Sequence, residues 1–120
     1  MRVLIADDSR VMRRIVVRTL RQAGFDDWEF DEAANGADAL DYVLRDEPDL
    51  VLSDWNMPEM TGLEMLNELR VNGSDVPVGF VTSEGSAEMR GLAEEAGALF
   101  LIAKPFTPEM FRATIEPFLA

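Results

Sequence analysis

The stretch Leu50-Val51-Leu52-Ser53-Asp54-Trp55-Asn56-Met57-Pro58 constrains this chain most. Its continuous apolar start suits a strand buried on both faces of a parallel sheet. Asp54, then Asn56 and Pro58, stop that strand and turn the chain. In an open α/β sheet, sites form just beyond the carboxyl ends of the strands, where Asp54 would sit. The same punctuation recurs elsewhere. Val3–Ala6 closes on Asp7-Asp8, Val76–Thr82 ends on a hydroxyl, and Leu99–Ala103 closes on Lys104-Pro105. Asp7, Asp8, Asp54, Thr82 and Lys104 would therefore meet in one crevice.

Amphipathic helices fill the gaps between these runs. Val11, Met12, Ile15, Val16, Leu20 and Ala23 recur at three- and four-residue steps, with Ser9 to cap the helix and Gly24 to close it. Trp28–Ala33 alternates apolar and polar, which predicts a half-buried strand near a sheet edge. Asn35-Gly36 reads as a turn. Ala37, Leu40, Val43 and Leu44 predict a second helix ending near Pro48, and Leu63, Leu66 and Leu69 a third, ended by Asn72-Gly73. Ala87, Met89, Leu92, Ala93 and Ala96 give a modest fourth helix. Thr107 and Pro108 open a fifth, lined by Met110, Phe111, Ile115, Phe118 and Leu119. Five strand–helix alternations with short loops imply a single doubly wound α/β domain over residues 1–120, with a parallel five-stranded sheet.

What the chain lacks narrows its chemistry. It has no Cys, hence no disulfide or thiolate metal site, and no His, hence no imidazole acid–base catalysis. A net charge of −12 argues against nucleic-acid binding. No apolar run approaches a membrane span of about 20 residues, and no signal segment opens the chain, so a soluble, cytoplasmic protein without membrane insertion is expected.

Three carboxylates at adjacent strand ends, Asp7, Asp8 and Asp54, would repel one another. A hard divalent cation removes that cost. Mg²⁺ takes oxygen ligands, keeps several waters and tolerates a phosphate oxygen, with Mn²⁺ as a substitute. Lys104 is the sole lysine beside ten arginines. A compact ammonium there would hold a phosphoryl oxygen, and Pro105 would set the backbone direction beyond it. The Thr82 hydroxyl would donate to the same group. Asp54 itself can act as a carboxylate nucleophile towards phosphorus, giving an aspartyl phosphate.

This set, Asp7-Asp8, Asp54, Thr82 and Lys104-Pro105, resembles the receiver domains of two-component response regulators. Ser53–Pro58 and Lys104-Pro105-Phe106-Thr107 are similar to the CheY-like chemotaxis members. The resemblance covers the whole chain and implies a flavodoxin-like (βα)5 fold with strand order 2-1-3-4-5. It makes Asp54 the phosphoacceptor. It gives Mg²⁺ to Asp8, Asp54 and the Asn56 backbone carbonyl directly, and to Asp7 through water. Thr82 becomes the switch hydroxyl and Lys104 the phosphate contact, while Asn56 and Glu84 tune the lifetime of the phosphoryl group. A histidine kinase or histidine phosphotransfer domain would be one partner and a downstream target protein the other. The implied role is not that of an enzyme acting on a separate substrate.

One position departs from the family. Three residues before the Lys, where an aromatic often swings, stands Leu101, and strand alternation turns the adjacent Phe100 to the other face. A shift of the loop Ser83–Ala87 and the fourth helix is therefore expected, read out on the surface of helix 4, strand 5 and helix 5. The first helix carries Arg10, Arg13, Arg14, Arg18 and Arg21. These form either a solvated face paired with surface acids or a docking surface for the kinase. Trp28 reads as core or surface filler. The expected protein is a stand-alone regulator, the alternative being a receiver cut from a longer response regulator or hybrid kinase. A Mg-dependent aspartyl-phosphate phosphatase would want a second acid where Asn56 stands, and a flavin module would want a hydroxyl-rich phosphate loop where Asp7-Asp8 stand.

Overall fold

The computed structural model describes residues 1–119; Ala120, the last residue of the expected domain, lies outside them. Strands β1 (Arg2–Ala6), β2 (Glu29–Ala33), β3 (Leu50–Ser53), β4 (Val78–Thr82) and β5 (Phe100–Ala103) alternate with helices α1 (Arg10–Gln22), α2 (Gly36–Asp46), α3 (Gly62–Val71), α4 (Ala87–Glu95) and α5 (Pro108–Ile115). All neighbouring strands are parallel, in the order β2-β1-β3-β4-β5. This is the expected doubly wound, flavodoxin-like sheet.

Strand alternation divides the core in two. Val3, Ile5, Leu50 and Leu52 pack with Val16 and Leu20 of α1 and with Phe111 and Ile115 of α5. Leu4, Ala6, Val51 and Phe80 pack on the opposite face with Val43 of α2, Met65, Leu66 and Leu69 of α3, and Ala93 of α4. Trp28 joins the first layer, stacked on Phe25 at 4.2 Å between ring centroids. Among the described residues no helix is long and apolar enough to cross a membrane.

Each helix starts on a capping side chain. Ser9, Asn35, Thr61, Ser86 and Thr107 hold extended backbone and accept the N–H three residues on. Thr61 and Glu64 complete a reciprocal capping box. Asn35-Gly36 is therefore not a free-standing turn. Asn35 caps α2 and a buried Gly36 opens it, since the side chain that forms a turn also satisfies a helix terminus.

Two further expectations are corrected. β4 begins at Val78, because Pro77 has no N–H to give to the ladder; its carbonyl still accepts from Val51 at 2.9 Å. In α1 the apolar stripe is narrower than the spacing suggested. Val11 and Ile15 are 68% and 41% exposed, while Thr19 is buried with its hydroxyl donating to the Ile15 carbonyl.

Candidate functional site

Backbone bonds carry the strand ends a step past the sheet and fix the crevice. Asp54 N–H donates to the Ala6 carbonyl at 2.8 Å, Asp7 N–H to the Ala33 carbonyl at 3.0 Å, and Lys104 N–H to the Thr82 carbonyl at 2.7 Å. Asp54 thus stands beside Asp7, and Lys104 beside Thr82.

Asp7 is buried, with Oδ1 accepting the Ser9 N–H at 2.9 Å and Oδ2 lying 3.1 Å from Lys104 Nζ. The Asp54 side chain is 12% exposed. Its Oδ1 accepts from Trp55 N–H at 2.6 Å and Asn56 N–H at 3.4 Å, and its Oδ2 lies 3.4 Å from the same Lys104 Nζ. Asp8 is exposed at the mouth, and one carboxylate oxygen from each of Asp7, Asp8 and Asp54 falls within 4.8 Å of the others.

Burial pushes the Asp54 carboxyl above its ordinary range. Lys104 pulls it back, Asp7 pushes it further up, and the Trp55 and Asn56 N–H groups favour the charged form. Three ionised carboxylates and one ammonium leave a formal charge of −2 in the crevice. Hard oxygen donors, an uncompensated double charge and one solvent-facing carboxylate fit a divalent cation such as Mg²⁺.

Thr82 is fully buried at the end of β4. Its Oγ1 accepts the Glu84 N–H at 3.4 Å and donates to nothing among the described residues. Asn56 and Glu84 are exposed above the crevice and meet through Asn56 Nδ2, 3.5 Å from Glu84 Oε1. Leu101 is buried in the α4-side layer and Phe100 packs on the other, as alternation predicts. Pro105 is exposed and follows Lys104 through a cis peptide bond. Asp7, Asp8, Asp54 and Lys104 therefore gather in the crevice, Asn56 and Glu84 meet above it with Asn56 N–H reaching Asp54, and Thr82 joins both groups, its carbonyl to Lys104 N–H and its Oγ1 to Glu84 N–H. Leu101 touches neither group by a polar contact.

Three supporting residues escape a reading of strand ends. Gly62 opens α3 where a Cβ would overlap the Asp54 carbonyl oxygen and the Phe80 ring. Ser53 is fully buried, and its Oγ donates to that same carbonyl at 2.8 Å. Arg13 donates from Nη1 to the Asp7 carbonyl at 2.7 Å while its Nε pairs with Glu32 at 2.7 Å. A glycine just inside a Thr-capped helix was the one sequence signal, since glycine there weakens a helix unless close packing requires it.

The model of the response regulator receiver domain family matches residues 3–116. A chemotaxis protein CheY homolog of Campylobacter jejuni is 41% identical over 122 residues, covering 99% of this chain and 92% of that protein. Chemotaxis protein CheY1 of Helicobacter pylori is 34% identical over 119 residues, covering 97% and 94%. The solved structure of chemotaxis response regulator CheY4 of Vibrio cholerae superposes with a TM-score of 0.83 at 35% identity, covering 97% of this chain and 96% of that one. The chain therefore belongs to the response regulator receiver domain family, with CheY chemotaxis proteins among its relatives.

Proposed function

We propose that this receiver domain is the phosphoacceptor of a two-component phosphorelay, with Asp54 as the acceptor, and that it acts as a CheY-like regulator. One observation carries the reading: Lys104 Nζ lies within reach of both the Asp7 and the Asp54 carboxylates, 3.1 and 3.4 Å away. A carboxylate nucleophile with a cation at its side and a hydroxyl proton free at Thr82 suits acceptance of a phosphoryl group.

In the transfer an Asp54 carboxylate oxygen bonds to phosphorus as the bond from phosphorus to the donor's imidazole nitrogen breaks. That nitrogen keeps the electron pair and takes a proton from solvent. Lys104 shifts from Asp54 Oδ2 to a phosphoryl oxygen, and Thr82 turns inward to donate to another. Asp7, Asp8, Asp54 and the Asn56 carbonyl would hold Mg²⁺, or Mn²⁺ in its place, which supplies charge neutralisation for the phosphoryl oxygens. Asn56 and Glu84 sit over the path by which water reaches the acyl phosphate, and so set its lifetime.

A histidine kinase or histidine phosphotransfer domain approaches over the apolar rim beside the crevice, where Met12, Ile15, Pro105 and Phe106 line a shallow hollow next to Lys104. A downstream target reads the surface of α4, β5 and α5. The inward move of Thr82 pulls the Ser83–Ala87 loop, and α4 follows.

Acetyl phosphate with Mg²⁺ tests the acceptor. Mass spectrometry should find one added phosphoryl group in the wild type and none in Asp54→Asn. Full labelling of that variant would place the acceptor elsewhere. Trp55, half-buried against Phe80 at 5.0 Å between ring centroids, should report metal binding in a chain carrying Trp28→Phe. Equal affinity in Asp8→Ala would remove Asp8 from the metal site.

A further inference from the structure

Helix α1 carries five arginines and no acid, in a chain with 23 acidic residues. Arginines neutralised by surface acids would show carboxylate partners, and among the described residues only Arg13 of the five has one. Arg14, Arg18 and Arg21 have none within salt-bridge reach. They stand at i, i+4 and i+7, a spacing at which like charges repel across a helix face. Arg21, in the last turn, suits the helix C-terminus and donates from Nη1 to the Asp26 carbonyl at 3.0 Å, but helix stability does not explain Arg14 and Arg18.

The three guanidinium groups share one feature, a groove of about 560 Å³ between α1 and β2, lined also by Val17, Gln22 and Phe30. Phe30 forms a half-buried floor, with the Arg21 guanidinium 5.1 Å over its ring. β2 is the outer strand of the sheet on this side. Glu29 N–H reaches Met1 and the Ala33 carbonyl accepts from Asp7, so the backbone of alternate residues faces β1. The N–H and carbonyl groups of Phe30 and Glu32 consequently face away from the sheet. Glu32 also borders the groove, but its carboxylate is engaged by Arg13. None of the three arginines touches the phosphoacceptor site.

We propose that this groove binds a short acidic polypeptide segment of a partner protein, lying along β2. Its carboxylates meet Arg14, Arg18 and Arg21, one apolar side chain rests on Phe30, and its backbone pairs with the free edge of the strand. Charge complementarity selects this occupant over a nucleic acid. Arg14 to Arg21 spans about 10 Å of helix at roughly 1.5 Å per residue. Exposed Asp26, Asp27, Glu29 and Asp31 flank that patch. A nucleic acid continues past it into the field of a −12 chain, whereas a segment with a few carboxylates ends inside it. The surface is distinct from the kinase rim at Met12, Ile15 and Phe106, and it operates whether or not Asp54 accepts a phosphoryl group.

The test uses the full chain with two fluorescent probes of equal charge, a short Glu/Gly peptide carrying one central Phe and a short oligothymidylate, followed by anisotropy at low and high salt. The peptide should bind at low salt, weaken with added salt, and bind better than both the oligothymidylate and the same peptide with Phe replaced by Gly. The variant carrying Arg14→Gln, Arg18→Gln and Arg21→Gln should lose affinity roughly tenfold. Arg45→Gln, at an exposed arginine on α2, should leave it unchanged. Glutamine keeps helix propensity close to arginine's, so circular dichroism should show the triple variant folded. No peptide binding at low salt, equal binding by the triple variant, loss in Arg45→Gln, or tighter binding of the oligothymidylate would each overturn the proposal. So would self-association of the wild type that the triple variant abolishes, since the occupant would then be a second copy.

Discussion

Helices α3 and α4 cover the same face of the sheet but are held there by different means. α3 begins on a full capping box and inserts Met65, Leu66 and Leu69, none of them exposed, into the core. Each such side chain contributes about 2 kcal/mol of burial. α4 buries only Ala93, and its Leu92 stays 40% exposed. Its place is taken up by polar contacts. Arg90 donates from Nη1 to the Leu101 carbonyl at 3.0 Å and from Nε to the Gly85 carbonyl at 3.4 Å, tying the helix and its entry loop to β5. Apolar burial resists displacement over the whole contact, while a few solvent-edge hydrogen bonds exchange at low cost. The crevice at Asp54 is flanked by α3, held by deep apolar burial, and by the α4 side, held by a few exchangeable polar contacts. Under the proposed function, the pull on Thr82 is therefore transmitted to α4.

Truncation gives the largest contrast. Leu66→Ala should lower the unfolding free energy by about 2–5 kcal/mol in urea titrations, and Leu92→Ala by less than about 1 kcal/mol. Equal losses would end the distinction between the two helices. One substitution should then act with opposite signs on the two. Gly62→Ala forces a methyl into the Asp54 carbonyl and the Phe80 ring and should cost about 1–3 kcal/mol. Gly91→Ala, in open space within α4, should stabilise by up to about 1 kcal/mol. A destabilised Gly91→Ala would mean that α4 is packed more closely than its exposure implies.

Arg90→Ala sharpens the comparison locally. Amide exchange across Ser83–Glu95 should quicken while the urea midpoint shifts by no more than about 1 kcal/mol. Unchanged exchange there would show that the two carbonyl contacts do not hold the loop.

The smallest effect is a pH dependence at the crevice. Burial above all, with Asp7 adding, raises the folded Asp54 pKa above its unfolded value. Between those two values the folded chain binds more protons, so stability falls as pH rises through that window and stays lowered above it. In buffer free of divalent cations, Asp54→Asn should melt above wild type at neutral pH. The gap should close as pH drops below the ordinary carboxylate range. A wild type that melts higher at neutral pH would reverse the sign.

Much of this was legible because strand and helix periods differ and strand ends are marked by polar residues. The apolar runs at Val3, Leu50, Val76 and Leu99 each became a strand, and the helical stripes between them made a doubly wound sheet the simplest way to bury both faces. The acids at 7, 8 and 54 and the lone lysine were visible as residue types for the same reason: nothing apolar explains them at strand ends. Val11 and Ile15 belong to the apolar stripe of α1 yet stay exposed, because period alone fixes which residues share a face but not how far the neighbouring layer extends.

What only the tertiary structure decided are the relations between residues far apart in sequence. Lys104 meets Asp7 and Asp54 because the order 2-1-3-4-5 folds residue 104 back over residues 7 and 54. Gly62 must be glycine because α3 crosses directly against the Asp54 carbonyl. The arginines of α1 divide, Arg13 towards Asp7 and Arg14, Arg18 and Arg21 towards the β2 groove. A sequence fixes local period and chemical type, since these depend on neighbouring residues. Distances across the sheet, burial and the resulting shift at Asp54 depend on how the layers stack, and they exist only once the chain is folded.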